Sequence, residues 1–248
     1  MSRERSLIRR EFERAAATFG ERTAGRFDHM RVVEFSRVGP GASVVEVGAG
    51  TGNFLALFDD VASRLIAIDL TPAMLARAVA GHPRLEAVLA DGARLPLRSG
   101  SIDLVTSAQT FHHIHAPIPV IREMRRVAAP GGRVLIVDQI APERVEESQM
   151  MNHLDHLRDP SHAACRPPSA FRIMVTAAGL EIEDEAIHES QERLSSWMSP
   201  AEFPADRIEA VERFVTEHGR ETGMDFERDG DDWVYTRRRI MVLAVRSD

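Results

Sequence analysis

A chain of 248 residues and 27.6 kDa can bury roughly 70 to 75% of its unfolded surface, enough for one α/β domain with elaborations. Its net charge of -7 and pI near 5.8 argue against the broad basic face that nucleic acid requires, and no apolar run approaches the ~20 residues of a membrane span. Cys165 is the only cysteine, which excludes an intramolecular disulfide and a cysteine-built metal site, and no signal-peptide core follows Met1, so a cytoplasmic enzyme is expected.

Apolar residues recur at helical spacing from Ser6 to Phe19, with Gly20 closing the segment, and a second helix is expected from about Thr23 to Arg37. The run Ser43 to Val47 reads as a buried strand that passes through Gly48, Gly50 and Gly52 into a helix starting near Asn53. Alternation continues: strand Leu65 to Asp69, a helix with Thr71 as N-cap and Pro72 at its first position, strand Leu85 to Ala90, strand Ile102 to Ser107, helix Pro117 to Val127, a turn at Ala129 to Gly132, and strand Val134 to Val137. Residues 140 to 166 are polar and His-rich. After them come a helix from Ser169 to Ala178, a strand from Leu180 to His188, a helix from about Ala205 to Glu221, a loop through Gly223 and Asp229 to Asp232, and a long strand from Trp233 to Val245. Such alternation specifies a doubly wound α/β sheet with its ligands at the carboxyl ends of the strands.

A dinucleotide fingerprint beginning at Gly48 and Gly50 would need its third glycine at Asn53, so the nicotinamide reading fails by one residue. What stands there instead, Glu46-x-Gly48-Ala49-Gly50-x-Gly52, resembles motif I of the class I S-adenosylmethionine-dependent methyltransferases. In that family the glycines pack against the methionine part of the cofactor and the leading acid holds its amino group. Asp69, closing the second strand, matches the ribose-binding acid, and the phrase Leu70-Thr71-Pro72-Ala73-Met74-Leu75 is similar to the ubiquinone-menaquinone-biosynthesis type, methyltransferase type 11. Asp91-Gly92-Ala93 resembles the adenine-contacting segment, and Gln109 lies at the end of the fourth strand. The resemblance implies a Rossmann-like seven-stranded sheet whose antiparallel last strand lies between the fifth and sixth. It further implies a helical lid over residues 1–38 in which Phe12, Phe19 and Arg22 contribute, a cofactor-binding core over 40–140, and a substrate-covering segment with C-terminal strands over 140–248, all one domain.

The fourth strand ends in Ser107-Ala108-Gln109-Thr110-Phe111-His112-His113-Ile114, without the acid or amide followed by two prolines of amino methyltransferases. The His pair resembles small-molecule methyltransferases instead, so the expected reaction is methyl transfer to a small organic acceptor, quinone-like or natural-product-like, leaving S-adenosylhomocysteine. Imidazole with an ordinary pKa of ~6.5 suits proton removal near neutrality, so His112 or His113 is expected to act as base or to orient the acceptor. The structural alternative is that one caps the strand and the other packs beneath the lid. His153 and His156 share a helical face but lack a convincing third ligand, so no metal site is expected. Met150, Met151, Leu154, Leu157 and Phe171 suit an adaptable apolar wall or plain core. Arg237-Arg238-Arg239 reads as a solvated strand edge, and the chain as a monomer or homodimer. A cofactor-binding cyclase or scaffold that no longer transfers methyl is the second reading, because binding motifs do not prove catalysis.

Overall fold

The computed structural model describes residues 3–199 and 203–247, with the side chains of residues 3 and 22 outside the description, so the expected part of Arg22 in the lid lies outside the described residues. Five strands alternate with helical segments: β1 (Ala42–Val47), β2 (Ala62–Asp69), β3 (Leu85–Leu89), β4 (Ile102–Ala108) and β5 (Ala128–Gln139). All pairs among them are parallel. The strands β6 (Glu181–Arg193), β7 (Glu227–Asp229) and β8 (Asp232–Val245) complete an eight-stranded sheet ordered β3-β2-β1-β4-β5-β8-β6, with β7 paired to β8 alone. β8 runs antiparallel to both β5 and β6, as expected of the reversed final strand. The additional strand is a short hairpin with Gly230 in its turn at φ +62°, a conformation open to glycine at little cost.

Val44, Val45 and Ile68 are fully buried because the parallel centre is covered on both faces, which is why these strands read as continuous apolar runs. The covering helices are α1 (Arg3–Thr23), α2 (Val32–Ser36), α3 (Pro72–Gly81), α4 (Pro117–Val127), α5 (Val145–Arg158), α6 (Pro168–Ala177), α7 (Leu194–Trp197) and α8 (Ala205–His218). Among the described residues no helix is long and apolar enough to cross a membrane.

Several elements depart from the sequence reading. The expected helix from Thr23 to Arg37 is split into a 3-10 turn, Asp28–Met30, and the short α2, because Gly25 and Arg31 take left-handed conformations that a continuing helix does not contain. The helix expected from Asn53 shrinks to one 3-10 turn, Leu55–Phe58, since β2 begins at Ala62 and leaves no room for more. The polar segment after β5 forms α5, which packs with α7 and α8 over the start of β8 and makes a satellite core around Leu154, Val211 and Tyr235.

That satellite core overturns the solvated-edge reading of Arg237 to Arg239. Side chains alternate along a strand, so Arg237 and Arg239 share one face, and because β8 is internal and its face is roofed by helices, they are only 2% and 5% exposed.

Candidate active site

The sheet order reverses between β1 and β4, and the carboxyl ends of those strands open onto a cavity of about 420 Å³. Glu46 from β1, Asp69 from β2 and Asp91 after β3 all line it, together with Gly48, Ala49, Gly50, Leu70, Gly92, Ala93 and Gln109. Gly52 and Met74 do not. Gly52 serves packing: a Cβ there would stand 2.5 Å from Leu85 Cδ1, at φ +81°. Met74 is fully buried as part of α3. Gly48 also answers to a neighbour, since its added Cβ would meet Thr110 at 2.4 Å with φ +76°.

The three carboxylates differ in what occupies them. Asp69 accepts from Gly50 N–H at 2.9 Å and Thr71 N–H at 2.8 Å, which fixes its orientation at the mouth of the glycine loop. Burial still pushes its carboxyl above the ordinary range. Glu46 is 1% exposed, and its Oε2 has no hydrogen-bond partner among the described residues. Burial and, second, the charge of Asp69 push Glu46 well up, so this group needs an incoming cation to ionise comfortably. An ammonium group supplies that cation, and an orphaned buried acceptor beside a glycine turn fits the methionine part of S-adenosylmethionine. Asp91 accepts from Ala93 N–H at 3.0 Å and pairs with Arg5 of α1 at 2.7 Å, a partner that the sequence reading missed.

α1 closes this cavity from above. Its Ile8, Phe12 and Phe19 line the roof, and Asn53 Nδ2 donates to Gly20 O at 2.7 Å and to Thr23 Oγ1 at 2.9 Å, tying the end of the helix to the glycine loop. A second cavity of about 430 Å³ lies on the far side of Phe12 and Phe19. Gln109 and His113 line both spaces. Gln109 is a non-glycine residue at φ +51°, and its Nε2 is buried without a hydrogen-bond partner among the described residues, so a donor and a strained backbone sit at the junction of the cavities.

The two histidines take different environments. His113 is 7% exposed, stands edge-on to Phe12 with ring centroids 5.0 Å apart, and faces Ser161 O from Nδ1 at 3.2 Å. Burial, with the neighbouring His112 second, lowers it to about 4. It is neutral at physiological pH. His112 lines the second cavity and brings Nδ1 within 2.6 Å of Asp138 Oδ1. A carboxylate only accepts, so Nδ1 carries the proton and Nε2 is left with the basic lone pair. Asp138, next to last in β5, is 0% exposed; burial would raise its carboxyl, but the adjoining His112 and the Gln139 N–H hold it below the ordinary range. The sequence reading missed Asp138, although an acid closing a buried strand was the same signal that marked Asp69.

Asp155, His162 and Cys165 form a buried group with potential ligand atoms within 4.8 Å of one another. Arg237 lies 3.3 Å from Asp155 and already places a fixed positive charge there, while His162 Nε2 faces Asn152 Oδ1 at 2.8 Å. His153 and His156 stand apart from this group; His153 packs on Phe214 and His156 Nδ1 faces His162 O. Of the residues read as a possible wall, Met151 and Leu154 join the satellite core and Phe171 the main one.

A family profile described as a methyltransferase domain matches residues 45–136, the stretch from the glycine loop to the fifth strand. The uncharacterised methyltransferase YcgJ of Bacillus subtilis is 31% identical over 173 residues, covering 68% of each chain. The chain belongs to this methyltransferase family. It is an S-adenosylmethionine-dependent enzyme with the Rossmann-like fold of that family. A demethylmenaquinone methyltransferase of Clavibacter sepedonicus is 29% identical over 188 residues, spanning 73% of this chain and 74% of that one. The crystal structure of YcgJ superposes with a TM-score of 0.81 at 23% identity over 88% of this methyltransferase and 97% of its own chain. The [4+2]-cyclase SpnF has the same fold, with a TM-score of 0.62 at 17% identity over 87% of this methyltransferase and 79% of SpnF.

Proposed function

We propose that the protein methylates an O–H or N–H of a small organic acceptor held in the second cavity, with His112 as general base. The observation that carries this is His112, which lines the second cavity with the buried Asp138 behind it, while Gln109 and His113 line both that cavity and the space lined by Glu46, Asp69 and Asp91. S-adenosylmethionine supplies an electrophilic methyl group on a sulfonium and leaves as S-adenosylhomocysteine. Glu46 receives the ammonium of its amino-acid part, Asp69 accepts from the ribose hydroxyls, and Asp91 with Gly92 and Ala93 borders the adenine. His112 Nε2 takes the acceptor's proton as the methyl arrives, and Asp138 stabilises the resulting imidazolium. The helix α1, with Phe12 and Phe19, keeps water from the transfer path. His113, held neutral, packs under α1 and shapes the passage. A chain whose single cysteine is buried and free suits the reducing cytoplasm, and we place the reaction there.

The test is incorporation of radiolabelled methyl from S-adenosylmethionine into a fractionated metabolite extract, with wild type and His112→Ala compared. Label entering a small acid-soluble metabolite with wild type and falling at least a hundredfold with the variant supports the proposal. Saturable cofactor binding with no transfer to any acceptor would favour a cyclase or scaffold on the same fold.

A further inference from the structure

The second cavity is unlike the first in charge. Six arginines line it against four carboxylates, and the imidazoles of His113 and His162 are held neutral by burial. The acids are already engaged. Asp155 lies against Arg237; Glu192 accepts from Arg239 and from Tyr235 Oη; Glu11 pairs with Arg14; and Asp159 turns Oδ1 onto the N–H and hydroxyl of Ser161. Burial would raise Glu192. Instead Arg237 and Arg239 draw Glu192 down to about 2, so on this wall the guanidinium charge outweighs burial and favours negative charge.

Two arginines retain capacity. Arg239 is 5% exposed and donates through Nη1 to Ser190 Oγ at 2.6 Å and through Nη2 to Glu192 Oε1 at 2.5 Å, yet its Nε has no acceptor among the described residues. Arg207 donates to the carbonyl of Arg158 at 3.2 Å and has no carboxylate partner among the described residues. The guanidinium carbon of Arg158 lies 5.0 and 4.8 Å from the ring centroids of Trp197 and Phe203. Planar forks fixed this way suit a carboxylate, and the aromatic walls suit the ring or chain that bears it.

We propose that the second cavity selects a small organic acid, its carboxylate held by Arg239 and Arg207 while its O–H or N–H faces His112, an assignment that rests on the methyl-transfer reading above. A cationic acceptor meets a field of the wrong sign. A neutral one can accept from the Arg239 Nε–H but leaves the excess guanidinium charge uncompensated.

The experiment uses protein saturated with S-adenosylhomocysteine and three matched pairs, each a carboxylic acid and its carboxamide: 4-hydroxybenzoate, 4-hydroxyphenylacetate and indole-3-acetate. Calorimetry or ligand-observed NMR should show the acid of at least one pair binding tenfold or more tightly than its amide. Arg207→Gln, at the half-buried rim, and Arg239→Gln, in the wall, should each weaken the acid by about tenfold and leave the amide within twofold. Amides that bind as well as their acids in every pair, or acids that do not bind at all, overturn the assignment. S-adenosylhomocysteine affinity is measured on the same samples. If it is retained without any acid preference, only the acceptor class is wrong; if wild type does not bind it, the methyl-transfer reading falls as well.

Discussion

Asp138→Asn is the substitution that separates a positioning role from mere packing. Four N–H groups converge on the two oxygens of Asp138: His112 Nδ1 at 2.6 Å and Gln139 N at 2.7 Å on one, Thr110 N and His112 N, each at 3.2 Å, on the other. Asparagine brings one oxygen and one NH2. If its oxygen stays with His112 Nδ1, the amide faces two backbone N–H donors in a fully buried site, at about 1 to 3 kcal/mol for each orphaned group. If it flips, the amide donates to Nδ1, the proton of His112 moves to Nε2, and the base is lost. Either way the charge that stabilises the imidazolium is gone. General-base assistance contributes ~10²- to 10⁴-fold, so kcat/KM at pH 7 should fall by about that factor. The affinity for S-adenosylhomocysteine should stay within twofold, because Asp138 does not line the first cavity. The decisive assay is the pH profile of transfer to the acceptor found by label incorporation. With the base disabled, the deficit should shrink as pH rises and the acceptor ionises unaided. Wild-type kcat/KM at pH 7 would refute the base assignment, and a pH-independent deficit that tracks a loss of cofactor affinity would reduce Asp138 to a structural acceptor.

Glu46→Gln should weaken S-adenosylmethionine by about 10- to 100-fold, the loss expected of a hydrogen bond to a charged group, while methylthioadenosine, which lacks the amino-acid part, changes less than twofold by calorimetry. Because the Glu46 carboxyl is pushed up by burial and an ammonium binds its ionised form, wild-type affinity should fall as the pH is lowered below neutral, and the Gln variant should lose that dependence. Asp155→Ala strands Arg237 in the core and should cost about 3 to 5 kcal/mol, on the order of 10 °C in Tm; Asp155→Leu with Arg237→Met should recover most of it in thermal melts. His113 and His162 are lowered to about 4 and 3, so the folded state resists their protonation, and this contribution to stability is complete above ~6.5 and is lost as pH falls from there towards 4. Melts across that window should show Tm falling, and less steeply in His162→Asn; equal slopes would contradict the burial argument, since the raised Glu46 and Asp69 carboxyls act in the opposite direction in both proteins.

The cofactor side was legible because each of its groups is local in sequence. A strand that ends in glycine or aspartate at the carboxyl edge of a parallel sheet announces both its element and its position, which is how Glu46, Gly48, Asp69 and Asp91 could be placed on one cavity before any coordinates. The same rule applied once more, to Val137-Asp138, would have found the partner of His112. Gly52 and Met74 show where the rule stops: a motif fixes the loop, while contact with Leu85, 33 residues away along the chain, decides whether a given glycine faces ligand or core.

The acceptor side was opaque for a different reason. Arg237 and Arg239 alternate with Arg238 in a way that suits a wet edge equally well, and only the insertion of β8 between β5 and β6, under the roof of α5 and α7, turns two of the three inward. That placement depends on pairings between residues roughly fifty positions apart, such as Ser190 with Arg237. It also changes the chemistry. A guanidinium at a wet edge is solvated and selects nothing, whereas the buried Arg239, with two N–H groups committed and Nε unanswered, is placed as the proposed acid selectivity requires. The last strand, which completes the sheet, therefore also carries the specificity proposed here, and exchange of Arg239 is expected to change which acceptor binds before it changes whether the cofactor does.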